Sequence, residues 1–242
     1  MFFGMMRVKN EERWIERALR PLIEVCDTVL VLDDHSTDRT AEIVNDTEDC
    51  IYCPSPFTDL NEARDKTYML DILKSFVPDY SSAGIRPRSP HWVICIDGDE
   101  EIVAQDIRKF TQEPPQGMGT VSYSFQILTL YDAPDQVRTD PPYDMMYRPS
   151  MFRLIKPGMK FLSNGNHGGG FHCSNVPADI GYGVTLHSPE PVRVKHYGYM
   201  NREDRERKYR WYVKHDQGHE AWYRKECLEV PTLARLMIEA SQ

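Results

Sequence analysis

The chain has 242 residues, with 29 Lys and Arg against 37 Asp and Glu, which gives a net charge of −8 at neutral pH. Hydrophobic residues at 40% and aromatics at 11% exclude a disordered chain, and the 14 Gly and 17 Pro follow no collagen-like period. No apolar run approaches the roughly 20 residues that span a bilayer. The opening residues Met1 to Arg7 carry no charged region ahead of a long apolar stretch, so no secretory signal is expected. Cys26, Cys50, Cys53, Cys95, Cys173 and Cys227 then read as free thiols of a cytoplasmic chain. Cys50 and Cys53 form a C-x-x-C, but His172 and Cys173 are adjacent rather than spaced as a second zinc pair.

Phe2 to Val8 reads as a strand ending in the polar cluster Lys9 to Glu12. Trp14, Ala18, Leu22 and Val25, widened by Ile15 and Leu19, recur at helical spacing, with Pro21 limiting or kinking that helix. Thr28 to Leu32 is a continuous apolar run suited to a strand covered on both faces, and it stops at Asp33. Ser36 or Thr37 is expected to cap the next helix, whose apolar positions are Ala41, Ile43 and Val44. Ile51 and Tyr52 make a short strand, Leu60 to Phe76 a helix, and residues 79–90 a Ser/Pro/Gly/Arg-rich loop. His91 to Ile96 is another buried-type strand, halted by Asp97-Gly98-Asp99-Glu100-Glu101. Such a βαβ rhythm predicts a mostly parallel sheet whose ligands sit at the carboxyl ends of its strands, where the clusters after Val8, Leu32 and Ile96 all fall.

The second half differs in texture. Val121 to Leu130 alternates like a strand exposed on one face, and Tyr147 to Ile155 suggests another. Asp132 to Pro149 reads as proline-rich loop, and residues 164–170 as a small-residue loop. Asn201 to His215 is a highly charged helix, and Pro231 is expected to open a final short one. The aromatics Tyr209, Trp211, Tyr212, Trp222 and Tyr223 in this tail suit packing on the core, or a platform for a bound sugar, base or lipid-linked group.

The strongest chemical signal is Asp97-Gly98-Asp99 at the end of a buried strand. In extended backbone, residues i and i+2 face the same side, so both carboxylates could meet one cation, with Gly98 easing the turn between them. Hard oxygen ligands favour Mg²⁺ or Mn²⁺ that also holds substrate phosphates. The bland reading is a solvated acidic turn. A second cluster, Asp33-Asp34-His35-Ser36-Thr37-Asp38, could accept hydrogen bonds from a base or ribose, or could be ordinary capping chemistry.

Four segments occur in order: Val8-Lys9-Asn10-Glu11-Glu12, the run from Val31 through Asp33-Asp34 to Thr40, Asn61 to Asp65, and Ile96 to Glu100. Together they resemble the family-2 glycosyltransferases with the GT-A nucleotide-sugar fold, particularly bacterial and viral cell-wall and glycan enzymes. His196-Tyr197-Gly198-Tyr199 and Arg205 to Tyr209 also resemble that group's closing segment. The resemblance implies a Rossmann-like α/β domain: residues 1–103 as its nucleotide-sugar half, 104–200 as its acceptor half, and 201–242 as a C-terminal helical extension. It implies an inverting transfer from a nucleoside-diphosphate sugar, UDP-sugar favoured, with Mn²⁺ or Mg²⁺. Val8, Asn10, Glu11, Asp33 and Asp34 would meet the nucleoside, Arg64 the diphosphate or ribose, and Asp97 and Gly98 the ribose or metal. Asp97, Asp99 and His196 would form the metal set.

The general base is where the chain departs from the family's pattern. His167 aligns with the histidine of the family's base segment, but Gly168 stands where an acid is expected. His167 ranks first and Asp179 second, with His172 and Asp132 as further candidates. The acceptor stays open among glycan, lipid, peptide and modified nucleobase, the last being the one place for nucleic acid given the negative charge. Peripheral contact with a membrane is an alternative to a purely cytoplasmic site. A glycosyltransferase-like binding module without a base is the non-catalytic rival. A haloacid-dehalogenase-like phosphatase is disfavoured by Glu100-Glu101, and a nucleotidyltransferase by the lack of a Gly-x-Gly-Thr-Arg loop.

Overall fold

The computed structural model describes residues 1–76, 91–112, 120–154, 158–163, 173–178, 184–187, 190–215 and 218–236. The expected loops over residues 79–90 and 164–170, and with them His167, His172 and Asp179, lie outside the described residues.

The amino-terminal half alternates strand and helix: β1 (Phe2–Val8), α1 (Ile15–Ile23), β2 (Thr28–Asp33), α2 (Thr40–Asn45), β3 (Cys50–Pro54), α3 (Glu62–Ser75) and β4 (Trp92–Cys95). β4, β1, β2 and β3 lie side by side and pair in parallel, with Gly4 opposite both Val29 and Ile94. Because side chains alternate across a strand, each run feeds two cores. Met6, Val8, Val29, Val31 and Ile94 face α1 and α2, while Phe3, Met5, Leu30, Leu32 and Val93 face α3 through Met69, Leu70 and Leu73. Both faces are covered, so these strands carry no polar face at all. Truncating one of these wholly buried side chains, such as Leu30 or Leu70, to Ala costs about 2–5 kcal/mol. The fold is Rossmann-like α/β.

The second half adds β5 (Glu100–Ile102), α4 (Ala104–Gln112), β6 (Thr120–Tyr131), β7 (Ala133–Arg138), β8 (Tyr147–Arg153), β9 (Val184–His187), β10 (Arg193–His196), α5 (Arg202–His215), α6 (Glu220–Leu228) and β11 (Leu233–Arg235). β8 joins the parallel block by pairing antiparallel with β4, and β6 pairs antiparallel with β8. β9 and β10 lie parallel to successive parts of β6, and β10 also pairs with β5, setting His196 opposite Glu100.

Four expectations are corrected here. β6 is buried on both faces: Ser122, Ser124 and Thr129 are enclosed by the strands and helix around it, and the Ser122 hydroxyl is 2.6 Å from the Thr185 hydroxyl. Within the stretch expected to be loop, residues 133–138 form β7, recruited by β6 and β11, and β8 begins at Tyr147. Pro231 opens no helix, since Leu233–Arg235 pair with β7, while α6 before it was not foreseen. Ser36 and Thr37 do not cap α2; Asp38 Oδ1 accepts the Thr40 amide at 3.0 Å instead. No helix among the described residues is long and apolar enough to cross a membrane.

Candidate active site

The carboxyl ends of β1, β2 and β4 open on one side of the sheet, and two loops there are tied together. Asn10, at φ 57°, donates its amide to Ser36 Oγ at 2.8 Å and accepts the Thr37 amide at 2.7 Å. The amides of Glu11 and Glu12 go to Thr40 Oγ1 and Asp38 Oδ2, and Glu12 returns a carboxylate to the Arg39 amide. The small hydroxyls after β2 therefore position the loop after β1. This explains why they are not spent on α2.

Asp34 is buried and accepts from Arg7 at 2.8 Å and Lys9 at 3.3 Å. Arg7 also reaches Asp65 on α3 at 2.9 Å. Asp33 sits deeper, accepting from Tyr52 and the Ser36 amide at 3.3 Å. Arg64 is not at this cleft: it pairs with Asp59 and Asp65 and lies 3.9 Å over the Phe57 ring. Arg7 and Lys66, rather than Arg64, bring positive charge from this side.

After β4 the chain makes a turn instead of continuing extended, with the Glu100 amide on the Asp97 carbonyl at 3.1 Å. The two aspartates consequently take different partners. Arg148 of β8 meets Asp97 at 3.3 Å and also binds the wholly buried Glu100. Asp99 faces the other way, toward Lys208 Nζ at 2.9 Å and His196 Nε2 at 3.4 Å. Gly98 does not adopt a left-handed conformation; what it supplies is room, since a Cβ there would come within 2.9 Å of both Glu11 and Val8 side chains.

These surroundings set the protonation states. Burial works against the Asp99 carboxylate, but Lys208 and then His196 outweigh it and hold its pKa well below the usual range. Asp97 is likewise lowered, burial being overcome by Arg148 and Lys66. Glu11 is pushed up to about 9, first by burial and then by the neighbouring Asp99 charge. Glu100 is raised by burial, with Arg148 opposing.

β10 delivers His196 next to Asp99, and the Tyr197 amide closes on the Asp99 carbonyl at 2.8 Å. At Gly198 a Cβ would overlap Lys208 Nζ and Asp99 Oδ2 and lie 2.8 Å from His196 Nε2. The missing side chain thus leaves a small cradle where an oxygen and an imidazole nitrogen converge. That donor set suits Mn²⁺ or Mg²⁺ as a two-ligand site completed by substrate oxygens. No cluster of three or more His, Cys, Asp or Glu able to hold a metal exists among the described residues. A metal here would depend on what the substrate brings.

α5 forms the opposite wall. Its first turn is fixed by Arg13 to Asp204 at 2.7 Å and by Arg205 to the Tyr199 carbonyl and Asp132, both at 2.8 Å. One turn later comes Lys208, then Trp211 and Tyr212, the last stacked on Tyr223 of α6 at 4.3 Å. Two cavities result. One of about 420 Å³ holds Asp97, Asp99, His196, Lys66, Arg148 and Trp222; the other, about 590 Å³, holds Asn10, Asp34, Thr58, Trp211 and His215. They share Arg7, Lys9, Glu62, Lys208 and Tyr212 and so make one cleft, each half within the size of small-ligand pockets. The cleft is nucleotide-sized, and its lining sets the cations Arg7, Lys9, Lys66, Arg148, Arg207 and Lys208 against an equal number of acids.

Asp132 is elsewhere, in a third cavity of about 690 Å³ with Tyr131 and Arg205. Sequence reasoning gave no role to Arg7, Arg148, Tyr199, Lys208 or Glu226. The i, i+4, i+8 spacing of Asp204, Lys208 and Tyr212 was the available signal for the α5 wall. Glu226 is buried, accepts from Tyr143 through one oxygen and has no partner for the other among the described residues.

No family model and no curated protein sequence matches the chain. Among solved structures, S. aureus TarS 1–349 aligns over 93% of this chain and 68% of its own, at 14% identity and TM-score 0.44. Its complex with UDP gives 13% and 0.45 with the same coverage, and S. aureus TarS gives 13% and 0.46 with 41% of its own chain covered. Glucosyl-3-phosphoglycerate synthase from Mycobacterium tuberculosis, bound to Mn²⁺, UDP and glucosyl-3-phosphoglycerate, aligns over 54% of this chain and 44% of its own, at 18% and 0.30.

Proposed function

We propose that the protein is a glycosyltransferase that moves a sugar from a nucleoside-diphosphate donor, a UDP-sugar by preference, to an acceptor hydroxyl, with inversion. The observation that carries this reading is the continuous cleft that links Asp34 and Trp211 at one end, past Lys208 at the junction, with Asp99 and His196 at the other. A nucleoside fits the first end, where Asp34 accepts from a base or ribose and Asn10 and Thr58 shape the wall, while Glu11 lines the other half and Val8 is buried behind Gly98. A diphosphate fits the junction, where Arg7, Lys9 and Lys208 counter its charge despite the chain's net −8.

Asp99 and His196 would hold the metal, with Asp97 beside them held by Arg148. When bound, Mn²⁺ or Mg²⁺ supplies charge to the leaving diphosphate. The residues of the chain do the rest: Lys66 and Arg148 offset the acids of the sugar end, and half-exposed Asp97 orients donor hydroxyls. Burial opposes the Lys66 charge, but the neighbouring acids Asp97 and Glu62 favour it, and its pKa is raised overall. Trp222, half-exposed at the rim, offers the acceptor an apolar face. Removal of the acceptor proton falls to His167, with Asp179 as second choice.

The test is Asp99→Asn assayed with UDP-sugars and Mn²⁺ for donor hydrolysis and transfer, alongside UDP thermal shift. Loss of both turnover and the metal-dependent shift is expected. Near-normal turnover in this variant would remove Asp99 from the site.

A further inference from the structure

Asp99 already has a cation. Its carboxylate is buried, and a buried charge left unpaired costs several kcal/mol, so something positive must stand beside it in every state of the enzyme. In the structure that something is the Lys208 ammonium, 2.9 Å from Asp99 Oδ2 and near the spot above Gly198 toward which His196 Nε2 also points. Two protein ligands are too few for Mn²⁺ or Mg²⁺, which want about six. A diphosphate supplies oxygens that make up part of the deficit. The lysine has a flexible four-carbon stem on a helix anchored one turn earlier through Asp204 and Arg205, so its ammonium can leave Asp99 while α5 stays docked.

We propose that Lys208 is a displaceable counter-cation: its ammonium and the divalent metal compete for Asp99, so that the metal enters together with the nucleoside diphosphate rather than before it. The proposal rests on the glycosyltransferase reading and adds an order of binding and a positioning role for Lys208. Displacement moves one positive charge off Asp99 as a doubly charged ion arrives. The freed ammonium remains in the cleft that the two cavities share, as a counter-charge for the donor's phosphates.

The experiment is Mn²⁺ titration followed by electron paramagnetic resonance of the free ion, with and without UDP, on the wild type, Lys208→Met, Lys208→Arg and Arg207→Met. Arg207 is a neighbouring cation of the same helix, paired with Asp204 at 3.2 Å, and controls for general charge. Circular dichroism confirms that each variant is folded. Expected for Lys208→Met is nucleotide-free Mn²⁺ affinity at least about tenfold above wild type, with UDP adding less than it does to wild type, since removing a close opposing charge is worth on the order of a decade. Lys208→Arg and Arg207→Met should stay near wild type. Equal nucleotide-free affinities in wild type and Lys208→Met, with UDP still promoting Mn²⁺ binding, overturn the competition and leave the glycosyltransferase reading standing. An equal gain in Arg207→Met also overturns it. Absence of Mn²⁺ binding in every protein, with and without UDP, defeats both. An unfolded Lys208→Met leaves the decision to Lys208→Gln, read in the same way.

Discussion

Gly198→Ala places a methyl group where Asp99, His196 and Lys208 converge. The backbone at Gly198 is outside the left-handed region, so alanine is conformationally acceptable there and any effect is one of space. The new Cβ would overlap both Lys208 Nζ and Asp99 Oδ2, inside the 3.0 Å that real Cβ contacts essentially never breach. Lys208 can swing away. Asp99 cannot easily follow, because its turn is fixed by the Glu100 amide on Asp97 and the Tyr197 amide on Asp99 itself. The carboxylate must retreat by most of an ångström in a packed site, which argues for about 3 kcal/mol, the upper end of the usual overpacking cost. The same methyl excludes an ion from the cradle, so UDP affinity in the presence of Mn²⁺ should fall by at least roughly tenfold, one decade per 1.4 kcal/mol. Urea unfolding gives the first quantity, and UDP thermal shift with and without Mn²⁺ gives the second. A variant that keeps the full metal-dependent shift would show that no cation sits above Gly198.

Arg148→Met strips the cation from the wholly buried Glu100 and from Asp97, so unfolding free energy should drop by about 3–5 kcal/mol; adding Glu100→Gln should restore much of it, and a double variant no better than the single one would deny the pairing. His91 is buried, and neither ring nitrogen has a hydrogen-bond partner among the described residues. Burial, with the chain's amino terminus, holds its pKa below 6.5, so protonation favours the unfolded chain and stability attributable to His91 is present above that value and lost as pH falls. His91→Phe should therefore gain on the wild type in urea melts as pH goes from about 7 to 5, by at most about 1.4 kcal/mol per pH unit, and a pH-independent difference would contradict this.

Much of the scaffold was legible because its strands bury both faces. Thr28–Leu32 and Trp92–Cys95 are continuous runs suited to burial, and the polar residues that end them, Asp34, Asp97 and Asp99 among them, line the cleft. β7 was not legible: Pro134 and Asp135 are poor strand formers, and only pairing with β6 and β11 makes Ala133–Arg138 extended. β6 misled for a different reason, because its serines mimic a wet face while the fold satisfies Ser122 from Thr185. At the site, Asp34, Asp97, Asp99 and His196 line the cleft. Arg64 does not, since Asp59 and Asp65 on its own loop and helix compete successfully for its guanidinium. Arg148 left no local signature, and Lys208 only its helical spacing with Asp204 and Tyr212; both matter through partners 48 and 109 residues away.

Those long separations bear on how the protein comes into being. The amino-terminal block, β1 to β4, has its parallel pairings within the first 95 residues, yet Asp99 finds His196 and Lys208 only when β10 threads between β5 and β6 and α5 settles behind it. A nascent chain that has emerged only as far as β8 already possesses its acidic turn and Arg148 for Asp97 and Glu100, but neither of the groups that neutralise or complete Asp99. Closure of the site around Asp99 is therefore deferred until the final third has docked, and a half-made molecule carries that carboxylate without either of its partners.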